Sequence, residues 1–249
     1  MDQLLVALDV DTRARALELS DQLRGTVGGF KIGSRLFTSE GPSLVSTLVD
    51  HGDRVFLDLK YHDIPTVVAE AVQAATRLRT WMLTVHTAGG LRMLQAAAEA
   101  ARQSDRPPLV VGVTVLTSLD SRELGRVGIC RALPDQVEGL AQLAVEAGLD
   151  GVVASPQEVA RLRARLGRKV TIVTPGIRGG TGAETPGRED QIRTLGPAEA
   201  LVAGASYLVV GRPIIASPDP LAAARAIVSK LETIKPKDLL NISTASKPR

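Results

Sequence analysis

Eight apolar runs of strand length, each followed by an amphipathic stretch rich in Ala, Leu and Arg, constrain this chain more than any other feature of it. Short buried strands that alternate with helices predict a parallel sheet, because parallel neighbours need a long crossover between them. Strands are expected at Leu4 to Asp9, Gly29 to Ile32, Val55 to Asp58, Met82 to His86, Leu109 to Thr114, Gly151 to Ala154, Val170 to Thr174 and Tyr207 to Val210. The helices between and after them are expected at Thr12 to Leu23, Gly41 to His51, Pro65 to Leu78, Gly90 to Arg102, Pro134 to Ala147, Pro156 to Leu166, Pro197 to Gly204 and Asp219 to Leu231. Several begin at proline, whose missing N–H costs nothing in a first helical turn. Eight strand–helix pairs favour a closed (β/α)8 TIM barrel over an open doubly wound sheet. One barrel over residues 1–233 is expected, followed by a flexible tail over 234–249, where Lys, Pro, Ser and Thr dominate.

Composition narrows the partners. The 30 cations are interspersed with 27 acids and form no basic arm, and aromatics at 2% leave little for stacking on bases, so nucleic acid is not an expected partner. A lone Cys130 has no internal disulfide partner, and no Cys/His cluster has metal-ligand spacing; a reducing, cytoplasmic setting follows. The run Leu4 to Leu8 is strand-sized and lacks a basic lead or a cleavage site, so neither signal peptide nor membrane span is expected.

The chemistry of a barrel sits where its strands end C-terminally, and the polar residues of this chain gather there. Asp9 closes the first strand and Lys31 the second. Asp58 and Lys60 close the third on one face, with Asp63 just beyond; Thr117 follows the fifth. An Asp-x-Lys pair alone is most often a surface ion pair contributing under about 1 kcal/mol. The apolar lead-in Val55 to Leu57 and the buried-looking Lys31 on the neighbouring strand argue otherwise, because carboxylates and ammonium groups seldom enter a core unpaired. Alternating acids and lysines would neutralise one another and stand ready for a charged substrate. After strands seven and eight come Gly-Ile-Arg178 and Gly211-Arg212, where backbone N–H groups and guanidinium suit a phosphate. The Gly-rich stretch from Arg178 to Gln191 is long enough to be a lid.

In this order, Leu-Asp9-Val, Lys31-Ile-Gly, Asp58-Leu-Lys60-Tyr-His-Asp63-Ile-Pro, Val-His-Thr-Ala-Gly-Gly, Val-Leu-Thr117-Ser, Thr-Pro-Gly-Ile-Arg178, Asp190-Gln191 and Val-Gly211-Arg212-Pro-Ile resemble the orotidine 5'-monophosphate decarboxylase family over nearly the whole chain. The resemblance implies cofactor-free and metal-free conversion of orotidine 5'-monophosphate to UMP and carbon dioxide by a homodimeric barrel. It implies that Lys60 protonates C6, that Asp58 lies near the departing carboxylate, and that Lys31 links the acids to the ribose. Asp63 is expected to reach in from the partner subunit. It further implies ligand contacts from Asp9, Ile64, Thr66, Thr117, Arg178, Gln191, Gly211 and Arg212.

Two departures stand out. Many relatives read Ile-Pro-x-Thr after the acid cluster, with the Thr holding ligand, whereas Val67 stands at that position here and Thr66 precedes it. The Arg178 to Gln191 stretch is also a few residues longer than in many relatives. A related group of barrels, acting on sugar phosphates, shares the Asp-x-Lys-x-x-Asp cluster but holds magnesium with an acid at the end of strand two, where this chain has Lys31. A catalytically silent phosphate-binding barrel is a second alternative, supported by Val67 alone.

Overall fold

The computed structural model describes residues 2–177 and 195–234, which form a closed barrel of eight parallel strands in sequential order. The strands are β1 Leu4–Ala7, β2 Gly29–Gly33, β3 Val55–Tyr61, β4 Met82–His86, β5 Leu109–Val113, β6 Gly151–Val153, β7 Thr171–Thr174 and β8 Tyr207–Val210. Their order closes the ring through β1 and β8, with Leu5 opposite Val209. The helices are α1 Arg13–Leu23, α2 Ser34–Glu40, α3 Pro42–Asp50, α4 Pro65–Arg77, α5 Leu91–Arg102, α6 Ser121–Arg126, α7 Leu133–Glu146, α8 Val159–Leu166, α9 Pro197–Val202, α10 Arg212–Ile215 and α11 Pro220–Glu232.

The expected elements are present, with three informative differences. First, β1 ends at Ala7, so Asp9 sits in the loop beyond the strand, and β3 runs on to Tyr61, so Lys60 lies within a strand. Second, α8 begins at Val159, three residues after Pro156. Third, α2, α6, α10 and a 3-10 turn over Thr87–Gly89 are additional, and all are shorter than the window over which a helical period is legible. Gly41 divides α2 from α3: its φ of +67° lies in the left-handed region, which glycine adopts without the Cβ penalty. The tail beyond Ile234 lies outside the described residues.

Alternation along each strand sorts the side chains into two cores. Leu5, Ala7, Phe56, Met82, Val111, Val173 and Val209 fill the barrel interior, whereas Phe30, Ile32, Leu57 and Leu83 face outward and pack with the helices. Lys31 lies between Phe30 and Ile32 and therefore points inward, as does Asp58 two residues after Phe56. At the N-terminal end of the barrel, Trp81 meets Tyr207 edge-on at 5.1 Å between ring centroids, and the Arg54 guanidinium lies 4.8 Å from the Trp81 ring. That end is plugged by packing, which leaves the C-terminal mouth for chemistry. Among the described residues no helix is long and apolar enough to cross a membrane.

Close approach of β6 and β7 depends on Gly151, which pairs with Thr171 and whose added Cβ would collide with the Thr171 backbone carbonyl. Gly151→Ala is expected to lower stability by about 1–3 kcal/mol, read as a reduced urea midpoint at unchanged slope.

Candidate active site

The barrel mouth brings Asp9, Lys31, Asp58 and Lys60 into one chain of alternating charge. Lys31 Nζ is 3.1 Å from Asp9 Oδ1 and 3.7 Å from Asp58 Oδ2, and Lys60 Nζ is 2.9 Å from the same Asp58 oxygen. Exposure rises from the centre of this chain outward: the side chains of Lys31 and Asp58 are 10% and 13% exposed, those of Lys60 and Asp9 33% and 51%. The two inner charges are therefore the ones that most need partners, and each has an opposite charge on more than one side. Gly33 makes room for the arrangement. A Cβ there would stand 2.9 Å from Lys31 Nζ and 3.4 Å from Asp9 Oδ1.

The third strand is irregular where it carries the site. Its register with β4 shifts between Leu57 and Tyr61, and Lys60 has a φ of +54°, a left-handed conformation uncommon outside glycine. The buried Thr84 on β4 meets this irregularity. Its Oγ1 accepts the Lys60 N–H at 2.8 Å and donates to Asp58 Oδ1 at 3.1 Å. Neither Thr84 nor Gly33 was singled out from the sequence. A Thr within a β-branched run has the ordinary look of strand propensity, and the one available signal was its inward register, two residues after Met82.

Other expected site residues lie around this centre. Gly211 follows β8 beside the array, where an added Cβ would be 3.6 Å from Asp9 Oδ2, and the exposed Arg212 opens α10 next to it. Thr117 is half-buried in the turn after β5 in which the Leu119 N–H bonds to the Leu116 carbonyl. Asp63 stands outside the ion-paired chain; its Oδ1 accepts the Ile64 N–H at 2.7 Å, and Asp63, Ile64, Thr66 and Val67 are all exposed. With His62, Pro65, Ala88 and Gly89, Asp63 and Ile64 line an open groove. Arg178 and Gln191, and the lid expected between them, lie outside the described residues. Among those residues no group of three or more His, Cys, Asp or Glu side chains has the makings of a metal site.

Two aromatic groups border the lysines. His86, at the end of β4, lies 5.5 Å from His62 between ring centroids. Burial holds its pKa below the usual imidazole value, assisted by the neighbouring charges of His62 and Lys60 and opposed by Asp58. Burial raises the phenol of Tyr61. For His86 the sign of the linkage follows: the unfolded chain takes up a proton near pH 6.5 while the folded chain resists it, so stability is full above about that pH and falls as pH drops toward the folded value. Unfolding free energy measured between pH 8 and pH 5 is expected to decline less steeply in His86→Asn than in the unmodified chain. Equal slopes would show that His86 does not contribute.

The geometry can now be set beside known proteins. A model of the orotidine 5'-phosphate decarboxylase / HUMPS family matches residues 2–227. The orotidine 5'-phosphate decarboxylase of Moorella thermoacetica is 52% identical over 240 residues, spanning 94% of each chain. That of Syntrophotalea carbinolica is 50% identical over 234 residues, spanning 92% of this chain and 94% of its own. A solved structure, orotidine 5'-phosphate decarboxylase from Lactobacillus acidophilus, matches with a TM-score of 0.82 at 33% identity, covering 94% of this chain and 100% of that one. Barrel and sequence thus agree, and the chain belongs to the orotidine 5'-phosphate decarboxylase / HUMPS family.

Proposed function

We infer from the charged array at the barrel mouth, taken with membership of this family, that the chain converts orotidine 5'-monophosphate to UMP and carbon dioxide, the final step of de novo UMP biosynthesis. The observation that carries this reading is the Lys60 ammonium held 2.9 Å from Asp58 in a partly open mouth, with Lys31 behind it. When the bond from C6 to the carboxyl carbon breaks, its electron pair stays on C6 and carbon dioxide leaves. The pair lies in the plane of the ring and gains little from resonance, so a fixed positive charge beside it lowers the barrier. Lys60 supplies that charge and then the proton that completes UMP, and solvent restores the ammonium. The scheme uses no cofactor and no metal.

Asp58 has a smaller part. Two negative charges about 4 Å apart at an effective dielectric near 20 repel by about 4 kcal/mol, roughly a thousandfold in rate. A very slow uncatalysed reaction demands many more decades, so repulsion of the substrate carboxylate by Asp58 assists and does not suffice. The rest comes from the preorganised Lys60 charge and from binding the remote phosphate and ribose. Asp9 and Lys31 suit the ribose, Thr117 the pyrimidine, and Gly211 with Arg212 the phosphate. Arg178 and Gln191 are assigned to the phosphate side by their motifs alone. The branch that acts on sugar phosphates is disfavoured by Lys31, whose ammonium occupies the strand-two position of that branch's metal-binding acid.

The same reading makes the protein a homodimer of the cytoplasm. Asp63 stands outside the ion-paired array, with its carboxylate bonded to the Ile64 N–H, and Ile64 and Val67 beside it are 62% and 43% exposed, an apolar surface suited to a second protomer. From there Asp63, Ile64 and Thr66 reach the neighbouring protomer's substrate.

Lys60→Ala is expected to lower kcat by at least about 10⁴-fold while UMP still binds, followed as loss of orotate-ring absorbance and by calorimetry. Near-normal turnover in that variant would remove Lys60 from the chemistry. Mixing inactive Asp63→Ala and Lys60→Ala chains under conditions of subunit exchange is expected to restore activity, since one site of each mixed dimer then holds both residues. No recovery would mean that each site is complete within one chain.

A further inference from the structure

We propose that Thr84 is the positioning residue that sets the geometry of the proton donor, an inference that rests on the decarboxylase reading of Lys60 and Asp58. Three features converge on its hydroxyl. The register shift between Leu57 and Tyr61 marks a break in the regular β3–β4 pairing, and the left-handed turn of the chain at Lys60 falls within it. The Lys60 N–H is directed to Thr84 Oγ1 at 2.8 Å, which supplies the partner that a sheltered amide needs. A hydroxyl has one proton, and Thr84 donates it to Asp58 Oδ1 at 3.1 Å. That contact turns the other carboxylate oxygen, Oδ2, toward Lys60 at 2.9 Å and Lys31 at 3.7 Å.

One side chain thus holds both the backbone from which the lysine departs and the carboxylate against which its tip rests. Thr84 is 0% exposed, so its hydroxyl is sheltered from exchange with bulk water. Its place in the middle of β4, next to β3 in the closed ring, makes it a rigid anchor, whereas the segment it steadies is strained. Valine has the same shape without donor or acceptor. In Thr84→Val the Lys60 N–H and Asp58 Oδ1 lose their partner, the strand relaxes toward regular pairing, and the ammonium moves away from C6. Serine keeps the hydroxyl and restores both contacts.

The effect expected is on the chemical step. Displacement of a catalytic group by about 1 Å costs about 10²-fold, so Thr84→Val is expected to lower kcat by about 10- to 100-fold. KM and UMP affinity, governed by ribose and phosphate contacts, stay within about threefold of the unmodified enzyme, and Thr84→Ser recovers most of kcat. The test combines steady-state kinetics on the three enzymes with crystal structures of the unmodified protein and Thr84→Val. Unchanged kcat in Thr84→Val overturns the proposal, and so does an equal loss in the Ser and Val variants accompanied by parallel loss of UMP affinity. A Thr84→Val structure that keeps Lys60 left-handed with its tip in place overturns it too. If the unmodified protein does not turn over orotidine 5'-monophosphate, the decarboxylase reading fails by itself, and the two crystal structures still decide whether Thr84 holds Lys60.

Discussion

The Asp58 carboxylate, held between the ammonium groups of Lys31 and Lys60, is the interaction on which the mouth of this barrel depends. A largely buried lysine is costly unless paired, and Lys31 is buried among apolar strands with Asp9 on one side and Asp58 on the other. Removing the central carboxylate would leave two cations facing each other, with Asp9 as the remaining partner of one. Mutual support of this kind orients Lys60 before any substrate arrives. Preorganisation matters because a charge already in place does not have to be reoriented as the reaction proceeds.

The barrel separates what stabilises it from what reacts. Apolar layers fill the interior below the mouth, the ring of helices covers the outer face of the strands, and Trp81, Tyr207 and Arg54 plug the opposite end. The charged array therefore occupies the one end that packing leaves open. Residues at or just beyond the ends of β1, β2, β3 and β8 converge there only because the sheet closes on itself, which brings Asp9 and Gly211 together from opposite ends of the chain. Solved structures that share a third of the residues keep the same overall scaffold.

Much of this is legible in the sequence. Strands such as Met82–His86 and Tyr207–Val210 have the expected limits because each is a short apolar run bounded by turn residues. Lys31, Asp58 and Lys60 are visible because charges seldom follow an apolar strand without a purpose, and a two-residue period places the latter pair on one face. The left-handed Lys60 leaves no such trace, since its conformation comes from the pairing of β3 with β4 rather than from its own neighbours. Thr84 is invisible for a related reason: its partners belong to another strand. The helices α2, α6 and α10 are too short to show a period, and α10 opens at Arg212, where the motif pointed to a ligand rather than to a turn of helix.

The most direct test of the central claim follows the proton itself. Proton transfer to C6 is reversible in principle, so the enzyme that protonates this carbon must also catalyse exchange of the C6 hydrogen of bound UMP with solvent deuterium, observable by NMR. Exchange is expected with the unmodified protein and is expected to vanish in Lys60→Ala under conditions where UMP remains bound. Exchange that persists in that variant at the original rate would contradict the assignment of Lys60 as the proton donor.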